Sequence, residues 1–331
     1  MKKVKWHKKR HDFFYKLISR FIAGIYIKAA YRCKTEKFDL DRPYLILFNH
    51  QTPFDQHIAV ASMRKTFYFV GTEDLFTMGA VSRFIKYAAA PVAFKKSMAD
   101  ARAVMNCLKI VREGYSVSIA PEGNRTFTGE TVSIKPSIAK LIKLLKIPVA
   151  IYSIRGGYPV IPRYADKPRR CGIPVTGRVS RVIEYDEYKD MPDDDLYQLI
   201  CDELYVDESE LAVNCKSNRR AEFMERAVYL CPVCNSVGTL TSRKNTISCS
   251  FCGSVGEVGR DLQFKKPFPV RNIKEWTNLQ NDWINNYDIE RGKYNPITVE
   301  RGRIRNLLDK EMKKEVVKKN AEARLYSDRL E

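Results

Sequence analysis

Two short stretches of the sequence carry side chains whose types and spacing suit joint chemistry. In Asn49-His50-Gln51-Thr52-Pro53-Phe54-Asp55 an imidazole precedes a carboxylate by five residues, and in Pro121-Glu122-Gly123-Asn124-Arg125 a carboxylate precedes a guanidinium by three. A histidine with one nitrogen held by a carboxylate is kept in one tautomer and made a better base, which casts His50 as the base and Asp55 as its orienter. Arg125 offers a planar fork suited to phosphate, while Pro121 and Gly123 shape a turn that lets backbone amides approach a ligand. Glu122 either fixes Arg125 or hydrogen-bonds a ligand hydroxyl. Taken singly, the first stretch reads equally as a polar cap and the second as a turn with a surface ion pair, which is worth little. His7, His11 and His57 have no such context and read as surface or packing residues.

A third set of residues points to a metal. Of nine cysteines, Cys33, Cys107, Cys171, Cys201 and Cys215 are scattered, whereas Cys231, Cys234, Cys249 and Cys252 form two CxxC pairs. The segment between the pairs suits a hairpin turning at Lys244-Asn245. Four thiolates on two knuckles make a closed tetrahedral zinc site with no open position for a substrate water, so the expected zinc is structural. The distribution fits a reducing compartment better than a disulfide framework.

Both catalytic stretches directly follow runs that read as buried strands, Tyr44-Phe48 and Ser116-Ala120, and ligands in α/β sheets sit beyond the strand carboxyl ends. Strands are expected at 44–48, 66–70, 91–94, 116–120, 148–154 and 175–184, with helices at 55–64, 99–113, 137–146 and 190–207. This alternation predicts an α/β domain built on a mostly parallel sheet flanked by helices. Arg219 to Tyr229 reads as helical, as do the segment bearing Trp276 and Trp283 and the interleaved charges from Arg301 to Arg329. The expected domains are a basic amphipathic helix at 1–40, a catalytic domain at 41–212, a zinc ribbon at 213–265 and a helical C-terminal region at 266–331.

The formal net charge of +19, from 58 Lys and Arg against 39 Asp and Glu, calls for anionic partners. Residues 2–10 are strongly basic. After them Phe14, Leu17, Ile18, Phe21, Ile22 and Ile25 recur at helical spacing, which suits a helix lying in an anionic headgroup layer or packing on the domain core. Lys16, Arg20 and Lys28 interrupt the run, so no span of about 20 apolar residues arises. With no convincing secretory signal, the expected place is peripheral, on the cytoplasmic face of the membrane.

Together, His50-x4-Asp55 and Pro121-Glu122-Gly123-x-Arg125 resemble the motifs of the glycerolipid acyltransferases of the 1-acylglycerol-3-phosphate type. The similarity runs from about residue 40 to 205, with Gly71 to Ser97, Ile134-Lys135 and Ile147-Ile151 resembling further blocks. The resemblance implies transfer of a fatty acyl group from acyl-CoA or acyl carrier protein to the hydroxyl of a lysophosphatidate, giving phosphatidate without an acyl-enzyme. His50 would take the hydroxyl proton and Asp55 would orient it. Glu122, Gly123 and Arg125 would bind the acceptor, with Lys135 and Lys95 adding charge near its phosphate. Lys95-Lys96 stand where the family usually has arginine and Asn124 stands for a usual threonine, so glycerol 3-phosphate or another lysolipid remains open as acceptor. The resemblance does not explain the zinc module. The rival of another class is a zinc-ribbon nucleic-acid-binding protein, favoured by Arg243 and Lys244 at the hairpin tip and opposed by the modest charge of residues 231–260.

Overall fold

The computed structural model describes residues 5–95, 100–265, 268–288, 297–308, 313–327 and 329–331. Lys2, Lys3 and Lys96 lie outside the described residues. A helical N-terminal arm comprises α1 (Lys9–Leu17), a wider π-type helix over Ile18–Ile27 and α2 (Lys28–Tyr31). The arm is followed by β1 (Lys34–Thr35), β2 (Leu45–Phe48), α3 (Asp55–Ser62), β3 (Phe67–Thr72), α4 (Ala80–Ala88) and β4 (Val92–Phe94). Next come α5 (Ala101–Arg112), β5 (Ser116–Ile119), α6 (Ser137–Leu145), β6 (Val149–Arg155), α7 (Gly157–Val160), β7 (Thr176–Ile183), α8 (Tyr185–Tyr188) and α9 (Asp193–Leu204). All six expected strands form.

These strands make one sheet in the order β1-β7-β6-β2-β5-β3-β4. Every neighbouring pair is parallel except β6 and β7. A parallel sheet covered on both faces needs strands that are apolar throughout, and β2, Leu-Ile-Leu-Phe, is wholly buried. Its side chains alternate between two cores. Leu45 and Leu47 join Val117, Val149 and Ile151 beneath α5, α6 and α9, while Ile46 and Phe48 join Ala150 and Tyr152 beneath α3 and the N-terminal arm. On α6, Ile138, Ile142 and Leu145 face the first core at helical spacing. Burial of each such side chain stabilises the fold by about 1.5–3 kcal/mol.

The arm is packed and exposed at once. Tyr15, Ile27 and Tyr31 bury against the sheet, whereas Phe13, Leu17, Phe21, Ile25 and Tyr26 remain exposed. Beside them α4 exposes Val81, Phe84 and Tyr87, and Phe14 of the arm meets the Phe84 and Tyr87 rings at 5.6 and 5.9 Å. No helix among the described residues is long and apolar enough to cross a membrane.

Residues beyond α9 build a second core around β8 (Leu240–Arg243), β9 (Thr246–Cys249) and β10 (Val255–Glu257), an antiparallel sheet. The hairpin turns at Lys244-Asn245 as expected, with Lys244 at φ 56. Helix α10 (Ile273–Asn285) inserts Ile273 and Trp276 into this core beside Phe264 and Phe268, so the module reaches past residue 265. Trp283 is half-buried and meets the Tyr287 ring at 4.8 Å.

Two helical expectations fail here. Within 219–229 the sole helical turn among the described residues is Met224–Arg226, because Ala221, Met224 and Val228 are drawn separately into the ribbon core. The expected helical tail over 301–329 is an antiparallel ribbon of β11 (Thr298–Leu308) and β12 (Lys313–Leu325). Arg301 lies opposite Glu322 at 3.2 Å, so charges whose alternation resembles helix spacing serve here in strand pairing.

Candidate active site

Strands β2 and β5 are neighbours in register, Leu47 beside Ile119, so the loops leaving their carboxyl ends emerge side by side. That adjacency brings together residues 72 positions apart in the sequence. The loop after β2 turns tightly into α3, and Asp55 is the first residue of that helix, 1 % exposed. Its carboxylate accepts hydrogen bonds from His50 Nδ1 at 2.8 Å, the backbone N–H groups of Gln51 and Thr52 at 2.8 and 3.0 Å, and Thr52 Oγ1 at 2.6 Å. A carboxylate at a helix N-terminus is favoured by the helix dipole and by the donors around it, Nδ1–H of His50 among them. Nε2 of His50 is therefore the nitrogen with the free lone pair, on a side chain 27 % exposed. The spacing of five residues works because His50 ends the strand and Asp55 begins the helix.

Glu122 does not reach Arg125. One of its carboxylate oxygens accepts from the backbone N–H of His50 at 2.6 Å and the other from that of Val132, also at 2.6 Å. Both oxygens are thus used to staple the second loop to the first, and Thr126 N–H donating to His50 O at 3.1 Å adds a second staple. Burial pushes the Glu122 carboxyl up to about 7, against the pull of those two N–H donors.

Arg125 is half-buried at the same mouth. Burial lowers its pKa, the Asp55 carboxylate raises it, and the neighbouring Arg163 guanidinium lowers it again. Gly123 adopts φ 67 with open space where a side chain would project, the conformation that leaves its backbone accessible. Lys135 is exposed just before α6. Lys95 is exposed at the end of the edge strand β4, three strand spacings or about 14 Å from β2.

Four further residues support the site without a pattern that marks them in the sequence. Thr52 shares the Asp55 carboxylate. Tyr31 lies 2 % exposed against the Phe54 ring at 5.3 Å, its hydroxyl without a hydrogen-bond partner among the described residues. Glu208, 3 % exposed, accepts from the N–H groups of Gly156 and Tyr158 at 2.5 and 3.2 Å. It thereby fixes α7, whose Gly157 sits so close to Gln51 and Thr52 that an added Cβ would lie 2.7 Å from Thr52 Cγ2. Arg163 donates to the carbonyl of Arg125 at 3.0 Å. A glycine pair, Gly156-Gly157, was the one local signal of a close backbone approach.

Residues 31–162 match the family model described as Acyltransferase. This segment is acyltransferase-like. The acyltransferase segment contains Tyr31, His50, Asp55, Lys95, Glu122, Gly123, Arg125 and Lys135, ends one residue before Arg163 and does not include the ribbon. Among solved structures, the 1-acyl-sn-glycerophosphate acyltransferase of Thermotoga maritima aligns with a TM-score of 0.48 and 19% identity over 58% of this chain and 77% of that one. No curated protein matches the chain.

Outside the acyltransferase segment, Cys231, Cys234, Cys249 and Cys252 place one sulfur each within 4.8 Å of all the others. Cys231 and Cys252 are 3.8 Å apart and Cys234 and Cys249 3.9 Å. Tetrahedral ligation at about 2.3 Å per Zn–S bond requires sulfurs about 3.8 Å apart, so the four thiols fit a zinc ion.

Proposed function

We propose that the protein is a membrane-surface O-acyltransferase that moves a fatty acyl group from acyl-CoA or acyl carrier protein to the free hydroxyl of 1-acylglycerol-3-phosphate, giving phosphatidate. The observation that carries this reading is the His50–Asp55 hydrogen bond, at 2.8 Å, on a loop stapled through Glu122 to the loop bearing Arg125. A base and an anion-binding fork on adjoining loops would suit a phosphorylated alcohol acceptor.

In this mechanism Nε2 of His50 removes the proton of the acceptor hydroxyl as its oxygen attacks the thioester carbonyl. Asp55 holds Nδ1–H and stabilises the imidazolium that forms. The new C–O bond creates a tetrahedral oxyanion, which preorganised hydrogen-bond donors would stabilise. Collapse breaks the C–S bond, and the leaving thiolate takes the proton from Nε2. His50 is thereby restored to its neutral form, and no acyl-enzyme is needed. Arg125 holds the acceptor phosphate, and Lys135 and Lys95 contribute positive charge at longer range.

The exposed apolar faces of the arm and α4, flanked by Lys16, Arg83 and Lys86, support placement on an anionic lipid surface where both substrates reside. Zinc on the four cysteines would supply folding energy to the ribbon and no reactive position. The test is transfer from labelled acyl-CoA and acyl carrier protein to lysophosphatidate by purified protein. Formation of phosphatidate that falls by about 10²–10⁴-fold in His50→Ala is expected; equal turnover by the variant would remove His50 as the base.

A further inference from the structure

The anion site contains a second arginine that the acyltransferase motifs do not supply. Arg163 follows α7, and its guanidinium lies on the Phe127 ring, 4.2 Å from the centroid, while one of its N–H groups donates to the carbonyl of Arg125 at 3.0 Å. Phe127 and Arg125 belong to the same loop, so Arg163 is clamped to that loop at two points. Both guanidinium groups are half-buried, and neither forms an ion pair within 4.0 Å among the described residues. Burial and the Arg163 charge both disfavour the Arg125 guanidinium, the Asp55 carboxylate opposes them, and a bound anion would relieve both guanidinium groups further. An arginine has five N–H donors, and this one spends only one on the Arg125 carbonyl. The remainder form a fork suited to a phosphate.

The zinc module holds the chain next to Arg163. The next residue, Tyr164, is 3 % exposed and belongs to the ribbon core with Met224, Val228, Leu240 and Trp276. Arg226 of the ribbon donates to the Tyr164 carbonyl at 3.2 Å and pairs with Asp166 at 2.6 Å. On the other side Glu208 fixes α7. The stretch from Gly156 to Asp166 is therefore strung between the catalytic loop at Gly157 and the ribbon at Tyr164, with Arg163 at the junction.

We propose that Arg163 is the second arm of the acceptor site and that the zinc ribbon is the element that positions it, so that the pair Arg125–Arg163 selects a phosphate monoester over a phosphodiester. A monoester carries close to two negative charges at neutral pH and offers three terminal oxygens to two forks. A phosphodiester such as the choline-bearing lysolipid carries one negative charge and an added cation. Selection by charge count follows directly. This inference rests on the acyltransferase reading and goes further, because it assigns the ribbon a part in substrate choice.

The experiment compares wild type, Arg163→Gln, Arg163→Lys and Arg226→Met, each checked for thermal unfolding and zinc content. For Arg163→Gln the KM for lysophosphatidate is expected to rise about 10-fold or more with kcat within about 2-fold, since the base is untouched. Transfer to lysophosphatidylcholine, slow in wild type, should change little. Arg163→Lys, which keeps charge without the fork, should recover part of the loss. Arg226→Met, still loaded with zinc, should raise KM several-fold through the Tyr164 contact. A KM for Arg163→Gln within about 2-fold of wild type overturns the second arm, and an unchanged KM for Arg226→Met overturns the ribbon's part. Calorimetric binding of glycerol 3-phosphate separates this inference from the reading beneath it. Should wild type transfer no acyl group to any lysolipid, the enzymatic reading fails, while weakening of glycerol 3-phosphate binding by about 10-fold in Arg163→Gln still supports the arginine pair and equal binding refutes it.

Discussion

Two buried carboxylates brace the cleft, and both are held near the point of protonation. Burial raises Glu122 and Glu208 to about 7 each, although each accepts two backbone N–H donors. A carboxyl raised in the native state binds a proton that the unfolded chain, at its ordinary value of 4.5, has already released. Its contribution to stability is therefore fully present below that value and is lost as pH rises through about 7. Replacing Glu208 by Gln removes this dependence. The stability of wild type relative to Glu208→Gln should fall by on the order of 2–3 kcal/mol between pH 4.5 and 8, read from thermal unfolding at both pH values. A difference that stays constant with pH would mean that the Glu208 carboxyl titrates alike in both states. At Asp55, Thr52→Val deletes one hydrogen bond to a charged acceptor and should cost about 1.5–3 kcal/mol, with a matching loss of kcat, measured by denaturant unfolding and turnover. Of these residues, His50, Asp55 and Arg125 were legible because their motifs are local. Glu208, Arg163 and Tyr31 were not, since each reaches the cleft through strand order and no spacing in the sequence encodes it. Glu122 was legible as a site residue but not in its role, because a staple to a backbone N–H leaves no trace in side-chain pattern.

Among the elements, the N-terminal arm and α4 form one apolar surface through the contacts of Phe14 with Phe84 and Tyr87. Tyr26, exposed on the arm, lies 5.8 Å from the ring of Phe54 in the catalytic loop, so this surface adjoins the cleft. If the surface meets lipid, Phe21→Ser and Phe84→Ser should each weaken binding to vesicles containing anionic lipid, and the pair more than either, with turnover on short-chain soluble acceptors preserved. Sedimentation with vesicles measures this; retention by the double variant would place lipid contact elsewhere. Amphipathicity of the arm was legible in the sequence. The share of α4 was not, because Val81, Phe84 and Tyr87 become one patch with Phe13 and Leu17 only after the arm docks. The ribbon of β11 and β12 was misread for a different physical reason: alternating charges satisfy helical i,i+4 pairing and cross-strand pairing alike, and Arg301 with Glu322 settled on the latter.

At the level of the whole molecule, an acyltransferase segment and a four-cysteine module share one continuous set of contacts. Lys274 of α10 pairs with Glu130 and Asp207 at 3.0 and 2.7 Å, and Arg226 of the ribbon donates to the carbonyl of Tyr164, two residues past the segment, at 3.2 Å. Metal analysis is expected to find about one zinc per chain, and Cys249→Ser should destabilise the module and lower its unfolding temperature, because ligation supplies folding energy. A variant with unchanged melting and metal content would exclude zinc as a structural support. The alternating order of strands and helices was readable from hydrophobic runs, and so were the two knuckles. The contact between the modules was not, because Tyr164 looks in sequence like any loop aromatic.

The aromatic patch on the arm and α4 carries one more consequence. In water, uncovered rings of this kind favour self-association, so without detergent the purified chain is expected to form aggregates that disperse when surfactant is added. On a bilayer, velocity would then follow the mole fraction of acceptor in the plane and not its bulk concentration, and diluting the acceptor with inert lipid at fixed total amount should slow the reaction.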